Sequence, residues 1–203
     1  MLADNFQQVG RGEAPNRATE IKRADAQLTM TTERKVLIDA SGMNATAATP
    51  VVVRYDTAGD ASIVYEHGAV IRTDGDGAVM RREPDSVFED GNVVVRFVEL
   101  EGSDQGVGGS VSTVLVRAER RENAILANRD TTSNVTVRLQ THPDRADVWR
   151  TYLNESLATA TGGSPTCSSS TVGNDTVEVV CFDDTADVDR LAVARVGIRV
   201  TLT

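Results

Sequence analysis

The clearest hydrophobic pattern lies between Ser62 and Arg82, where apolar and polar residues alternate in three short runs. His67-Gly68 and the Asp74–Gly77 stretch separate these runs. Alternation with a period of two indicates half-buried strands, and glycine readily adopts the positive φ of a tight hairpin turn. The pattern therefore predicts a three-stranded β-meander, with Gly68 in its first turn.

Similar β-rich segments extend along most of the chain. Strands are predicted to end at Met30 and to occupy Val36–Ile38, Val51–Tyr55, Asn92–Glu99, Ser110–Arg120, Asn123–Leu126, Val135–Leu139, Thr176–Phe182 and Leu191–Leu202. Loops are predicted at Asp39–Pro50, Gly102–Gly109, Ala158–Gly173 and Asp183–Arg190. The predicted fold class is a mainly β, sandwich-like antiparallel domain of about ten strands.

The period changes between Pro143 and Leu157. Apolar residues recur there at intervals of three and four residues, which predicts an amphipathic helix near 143–157 that begins at a proline. Trp149 and Tyr152 lie in this helix, and we interpret them as core residues. Because a strand and not a helix is predicted after Gly102–Gly109, this glycine-rich stretch is interpreted as a connection rather than a phosphate-binding loop.

The first residues show a second helical pattern. Leu2, Phe6 and Val9 share one face of a helix, and two glycines follow them. Residues 1–12 are interpreted as the tail of a truncated helix, and a short native N-terminal helix is the alternative. Residues 13–203 are predicted to form a single β-rich domain. No apolar run in the sequence is long enough to predict a membrane-spanning segment.

Composition changes the picture through charge. The net charge is −9, aromatic residues make up only 4%, and just two of the 21 basic residues, Lys22 and Lys35, are lysine. Acid-rich, lysine-poor composition is typical of a protein that works in brine, where salt screens the repulsion between carboxylates. An ordinary acidic protein from a GC-rich genome is the alternative. Excess negative charge argues against nucleic acid as a partner.

Brine adaptation predicts that the thermal midpoint rises between dilute buffer and molar KCl, because unscreened repulsion among the acidic side chains destabilises the folded state. Thermal melting followed by circular dichroism at several salt concentrations measures this dependence. An unchanged midpoint contradicts brine adaptation.

The chain contains two cysteines, Cys167 and Cys181, at either end of a segment rich in Ser and Thr. Two cysteines close together in a chain without other thiol chemistry predict a disulfide and an oxidising compartment. A pair of free thiols is the alternative. Without a neighbouring histidine, the two sulfurs do not complete a tetrahedral metal site.

Candidate binding residues are few. Asp74 and Asp76 alternate with glycines, as at the start of a calcium loop, but Pro84 stands where the closing acidic ligand is required. These two aspartates are the candidate metal ligands, and an acidic hairpin turn is the competing interpretation. Candidate glycosylation sites lie at four sequons, on Asn44, Asn134, Asn154 and Asn174. No cofactor is predicted.

The sequence contains no recognisable catalytic motif. His67 and His142 do not stand at a metal-ligand spacing, and the sequence lacks the G-x-S-x-G elbow of a serine hydrolase. The 30 acidic residues do not single out any catalytic pair. The sequence is therefore interpreted as that of a non-enzymatic protein.

The segment Ile63–Arg72, IVYEHGAVIR, resembles the corresponding segment of haloarchaeal type IV pilin-like surface proteins. The resemblance continues along the whole chain. Its other matching segments are Leu2–Phe6, Gly12–Ile21, Val79–Pro84, Val107–Ser110 and Val114–Arg117.

This resemblance implies an extracellular domain on the outer face of the cell membrane, with other pilin-like subunits or surface proteins as partners. In that family a class III signal peptide precedes one hydrophobic helix, which anchors the protein or packs into a filament. The resemblance places Met1 inside the tail of such a helix and supplies no catalytic residue. The expected function is surface assembly or adhesion, and a ligand-binding or calcium-binding adhesive module is the alternative.

Overall fold

The protein is described by a computed structural model over residues 2–23, 26–31, 36–39, 46–48, 51–75, 77–103, 105–107 and 112–203. Within these residues, two helices accompany an eight-stranded first sheet and a six-stranded second sheet. The predicted fold class is confirmed: the protein is mainly β, with a sandwich-like pair of sheets.

The helices are α1 (Leu2–Arg11) and α2 (Pro143–Thr161). The first sheet contains β1 (Asn16–Arg23), β3 (Val36–Asp39), β4 (Thr46–Ala48), β9 (Val87–Glu89), β10 (Asn92–Glu101), β12 (Ser112–Thr141), β13 (Thr166–Gly173) and β14 (Thr176–Leu202). The second sheet contains β2 (Gln27–Thr31), β5 (Val52–Asp56), β6 (Ala61–Glu66), β7 (Ala69–Asp74), β8 (Gly77–Arg82) and β11 (Gln105–Val107).

The first sheet runs in the order β4-β3-β12-β14-β10-β9, with β1 also paired to β12 and β13 to β14. The second runs in the order β11-β2-β5-β6-β7-β8. The expected antiparallel pairing holds among the described strands except at one place, where β10 pairs with β14 in parallel. These two strands lie far apart in the chain, so no hairpin fixes their relative direction.

The predicted meander is confirmed as β6, β7 and β8, joined by antiparallel pairing. Its first turn has φ of 50° at His67 and 90° at Gly68. Two consecutive positive φ values are typical of a type I′ turn, whose twist matches that of the two strands it joins. Glycine accepts this conformation easily, whereas His67 adopts it against its intrinsic preference.

The separate strands predicted on either side of α2 are wrong, because they merge into β12 and β14. These two strands pair with each other along most of their length, with three shifts of register. Polar residues with low strand propensity are also part of this ladder, including the predicted acidic loop Asp183–Arg190. Local sequence signals were therefore overruled by long-range backbone hydrogen bonding.

Besides the glycine-rich stretch Gly102–Gly109, which contains β11, two other predicted loops are partly regular structure. The segment Ala158–Gly173 contains the end of α2, which stops at Gly162 with φ 65°, and then β13, which forms a hairpin with β14. The segment Asp39–Pro50 contains β4, and most of its remaining residues lie outside the described ones. In both cases the backbone hydrogen bonds are made with a neighbouring strand, and the local sequence pattern does not predict this pairing.

Two hydrophobic cores lie between these elements. The first gathers α2 against β14, β10 and the second half of β12, with Trp149, Leu153 and Leu157 from the helix. The second gathers α1 against the second sheet and the first half of β12, with Phe6 and Val9 from the helix. Each helix therefore covers its own core, and the prediction of core roles for Trp149 and the helix near 143–157 is confirmed.

Candidate functional site

The N-terminal helix α1 is anchored in the second core by its apolar face. Phe6, Val9 and Gly10 are buried, because the residue spacing places them on one side of the helix. The Phe6 ring meets the Tyr65 ring edge-on, with centroids 4.9 Å apart. A side chain at Gly10 would meet Val196 at 2.8 Å, so the glycine allows the helix to approach β14 closely.

Polar contacts fix the opposite side of α1. Arg82 on β8 forms an ion pair of 2.6 Å with Asp4 and also donates a hydrogen bond to Gln7. On the other flank, Asn5 donates to Thr19 of β1 at 2.6 Å. Because these contacts come from both sheets, α1 bridges the two sheets at this end of the domain.

The end of α1 meets a three-membered charge cluster. Asp85 accepts hydrogen bonds from Arg11 at 2.8 Å and from Arg96 at 2.7 Å. The hydrogen bond from Arg11, reinforced by the positive charge of both guanidinium groups, holds the pKa of Asp85 below its usual range despite partial burial. The cluster ties α1 to β10 and to the segment that follows β8.

A groove of about 420 Å³ opens beside the first turn of α1. Its lining includes Leu2 and Ala3 of α1, Tyr55 and Ile63 of the second sheet, and the charged Arg81. Ile63 is 45% exposed in this groove. An apolar concavity with a few charged groups at its edge suits an apolar side-chain surface or a small amphipathic ligand.

A second polar cluster is enclosed between the meander and α2. The Glu66 carboxylate, at the end of β6, pairs with Arg145 at 2.6 Å, and both side chains are buried. Trp149 Nε1 donates to the same carboxylate at 2.7 Å, and the Thr141 hydroxyl donates to it as well. Arg145 and Trp149 reach it together because residues four apart share a helix face.

Burial opposes ionisation of Glu66, yet the Arg145 guanidinium and the hydrogen bonds outweigh it and hold the pKa of Glu66 below its usual range. His67 packs beside the cluster, with Nε2 2.8 Å from the Gln140 carbonyl oxygen and its ring edge-on to Trp149. With both oxygens engaged, the carboxylate acts as a fixed anchor for α2.

Of the two predicted metal ligands, the structure describes only Asp74. Asp74 forms an ion pair of 2.7 Å with Arg72 on the surface of β7, and Asp76 lies outside the described residues. Within the described ranges, no group of three or more His, Cys, Asp or Glu side chains is placed to hold a metal ion. The calcium hypothesis stays untested at this turn.

The predicted disulfide is confirmed, because Cys167 and Cys181 are bonded with sulfur atoms 2.03 Å apart. The two residues face each other across β13 and β14. The bond therefore ties an edge strand to the longest ladder of the first sheet.

Three of the four predicted glycosylation sites lie on the surface. Asn134 is exposed in β12 with a positive φ of 56°, Asn154 is exposed on α2, and Asn174 is exposed in the turn between β13 and β14. Asn44 lies outside the described residues. Their exposure leaves room for a glycan, and glycosylation itself stays a prediction.

The Glu66–Arg145 cluster is the feature that sequence reasoning missed. In the structure Glu66 continues the buried positions Ser62 and Val64 on one face of β6, but the sequence carries no signal of this burial. A charged residue on a buried face requires a partner, but nothing in the sequence places Arg145 beside it.

Comparison with known proteins identifies a family and nothing more specific. The two-sheet, mainly β domain with its docked N-terminal helix matches a family model over residues 1–201. The chain belongs to this family, the family of unknown function DUF7289. No curated protein and no solved structure matches the chain. Neither helix of the described residues has both the length and the apolarity needed to cross a membrane.

Proposed function

We propose that this protein is the non-catalytic extracellular domain of an archaeal type IV pilin-like cell-surface protein, and that it acts in surface assembly or adhesion. The single observation that carries the proposal is the docking of α1, whose apolar face is part of the second core. A helix built into a β domain in this way transmits force between the domain and any segment continuous with it.

The contacts at both ends of α1 support this assignment. The first turn is held by Arg82 through Asp4, and the last turn by Asp85 through Arg11. Two ion pairs at opposite ends of one short helix hold it to the domain more strongly than a single ion pair, because both must break before the helix can detach. The apolar groove beside Leu2 provides additional surface at which a helix of another subunit can pack.

Composition and covalent structure agree with an external location. A net charge of −9 with only two lysines suits a brine-exposed surface, and a disulfide suits an oxidising compartment. The proposed partners are other pilin-like subunits or surface proteins, and the proposed location is the outer face of the cell membrane.

Cell fractionation tests this function. In a haloarchaeal host, we expect the protein expressed from its own gene to be found with the membrane and to be accessible to protease on intact cells. A protein that stays soluble and protected from external protease contradicts the proposal.

A further inference from the structure

The middle of β12 presents an edge of the first sheet that no described strand covers. On this side of β12, β1 pairs with residues 112–119 and β3 pairs with residues 136–139. Arg120 still donates its amide to the Pro15 carbonyl at 2.9 Å. Among the described strands, none pairs with this edge from Arg121 to Val135. Backbone donors and acceptors on such an edge are available to a strand from another chain.

This edge also carries exposed apolar side chains at its centre. Ile125 is 77% exposed and Leu126 is 37% exposed. Charged residues flank this apolar centre, and an exposed apolar stretch on an open edge favours pairing with another strand. The location of Ile125 and Leu126 on an uncovered edge therefore indicates an interaction surface.

The sequence around Ile125 and Leu126 is complementary to itself when reversed. Counting outward from this centre, Ala124 corresponds to Ala127, Asn123 to Asn128, and Glu122 to Arg129. An antiparallel second copy therefore places small residues opposite small ones and opposite charges opposite each other. Within the described part of the chain, neither Glu122 nor Arg129 forms an ion pair.

A β-bulge makes this register compatible with the faces of the sheet. In an unbroken strand, residues an odd number of positions apart, such as Glu122 and Arg129, lie on opposite faces. Here Ile125 pairs with Ala194 and Ala127 with Val193, so Leu126 is an extra residue in β12. The extra residue reverses the alternation beyond it.

The register with β14 shows the result directly. Ala124 pairs with Arg195 and Ala127 pairs with Val193. Arg195 and Val193 are two residues apart on one strand, so Ala124 and Ala127 lie on the same face. Arg129 pairs with Leu191, two residues from Val193, so it lies on this face as well. Glu122 belongs to a second bulge, opposite Gly197, which is two residues from Arg195, so a two-fold copy can bring Glu122 opposite Arg129.

We propose that β12 pairs with β12 of a second copy of this chain through residues 121–130. The two strands run antiparallel, with the two-fold axis between Ile125 and Leu126. Glu122 of each copy faces Arg129 of the other, and the first sheets of the two copies join into one continuous sheet. This pairing is independent of the proposed surface function, because it rests on β12 alone.

Charge reversal tests the register. Glu122→Arg alone places two arginines opposite each other, and Arg129→Glu alone places two glutamates opposite each other. Each like-charge contact occurs twice in the dimer, so each single variant is expected to weaken dimerisation about tenfold. The double variant E122R/R129E restores opposite charges and is expected to regain the wild-type dimerisation constant.

Sedimentation over a concentration series gives the dimerisation constants, and circular dichroism checks that each variant is folded. Val79→Arg is the matched control, since Val79 is 57% exposed on β8, outside the proposed contact. Its dimerisation constant is expected to equal that of the wild type. A wild-type protein that stays monomeric at all concentrations, or a double variant as weak as the singles, overturns the proposal.

Cysteine cross-linking provides a readout that does not depend on the charge variants. Ala124 of one copy faces Ala127 of the other, so a mixture of Ala124→Cys and Ala127→Cys chains is expected to form a disulfide-linked dimer under mild oxidation. Neither chain alone is expected to do so, because neither residue faces itself. Equal cross-linking in the mixture and in the separate chains overturns the proposed register.

Discussion

Replacing Glu66 with glutamine is expected to destabilise the folded protein by about 3–5 kcal/mol, because it leaves the Arg145 charge buried without its counter-ion. Arg145 is only 3% exposed, so water cannot take over the role of the carboxylate. Denaturant unfolding with linear extrapolation measures the loss. A loss below about 1 kcal/mol contradicts the assignment of Glu66 as the anchor of α2.

The companion variant Arg145→Met separates the ion pair from general packing effects. Alone it leaves the carboxylate buried without its cation, so it too is expected to be strongly destabilising. Combined with Glu66→Gln it removes both charges, and the double variant is expected to lose less than the two single losses added together. Strict additivity contradicts a direct interaction between the two charges.

An exposed ion pair of the same type supplies the matched control. Asp74 and Arg72 are 2.7 Å apart, close to the 2.6 Å of the buried pair, but their side chains are 61% and 53% exposed. Asp74→Asn is therefore expected to change the free energy of unfolding by less than about 1 kcal/mol. The comparison isolates burial as the cause of the larger effect.

The buried Glu66–Arg145 pair makes the free energy of unfolding depend on pH. The pKa of Glu66 is lowered in the folded state, so the ionised carboxylate stabilises the fold fully above the usual glutamate range. This stabilisation decreases as the pH falls through the unfolded pKa and is lost below the folded one. Glu66→Gln is accordingly expected to flatten the acid limb of the stability profile.

The parts of the fold that the sequence predicted are those fixed by neighbouring residues. The meander follows from alternation between Ile63 and Arg82 and from the turn at Gly68, and α2 follows from the spacing of Trp149, Leu153 and Leu157. Each pattern is complete within a few residues, so tertiary contacts only reinforce it.

The parts that the sequence did not predict depend on contacts between distant segments. Asp183–Arg190 resembles an acidic loop, yet β12 supplies backbone partners that hold it in a strand. Glu66 meets Arg145 across 79 positions of the chain, and only the packing of α2 against the meander brings them together. The docking surface of α1 likewise draws on both sheets, so residue spacing predicted the helix and not its contacts.

Phe6→Ala is expected to destabilise the whole domain by about 3–5 kcal/mol, because Phe6 is fully buried between α1 and the second sheet. The loss combines the transfer of the aromatic ring with the cavity left beside Tyr65. Phe88→Ala is the matched control, since Phe88 is only partly buried against the first core. We expect a clearly smaller loss for this variant.

The segments in which Phe6→Ala speeds amide exchange show whether α1 unfolds together with the domain or separately from it. If α1 is an integral part of the second core, Phe6→Ala lowers the midpoint of global unfolding and speeds amide exchange in β5 and β6 as well as in α1. If α1 is only a docked extension, faster exchange is confined to α1 and the global midpoint stays unchanged. The second outcome contradicts the proposed transmission of force through α1, because a helix that detaches alone cannot hold the domain to a segment continuous with it.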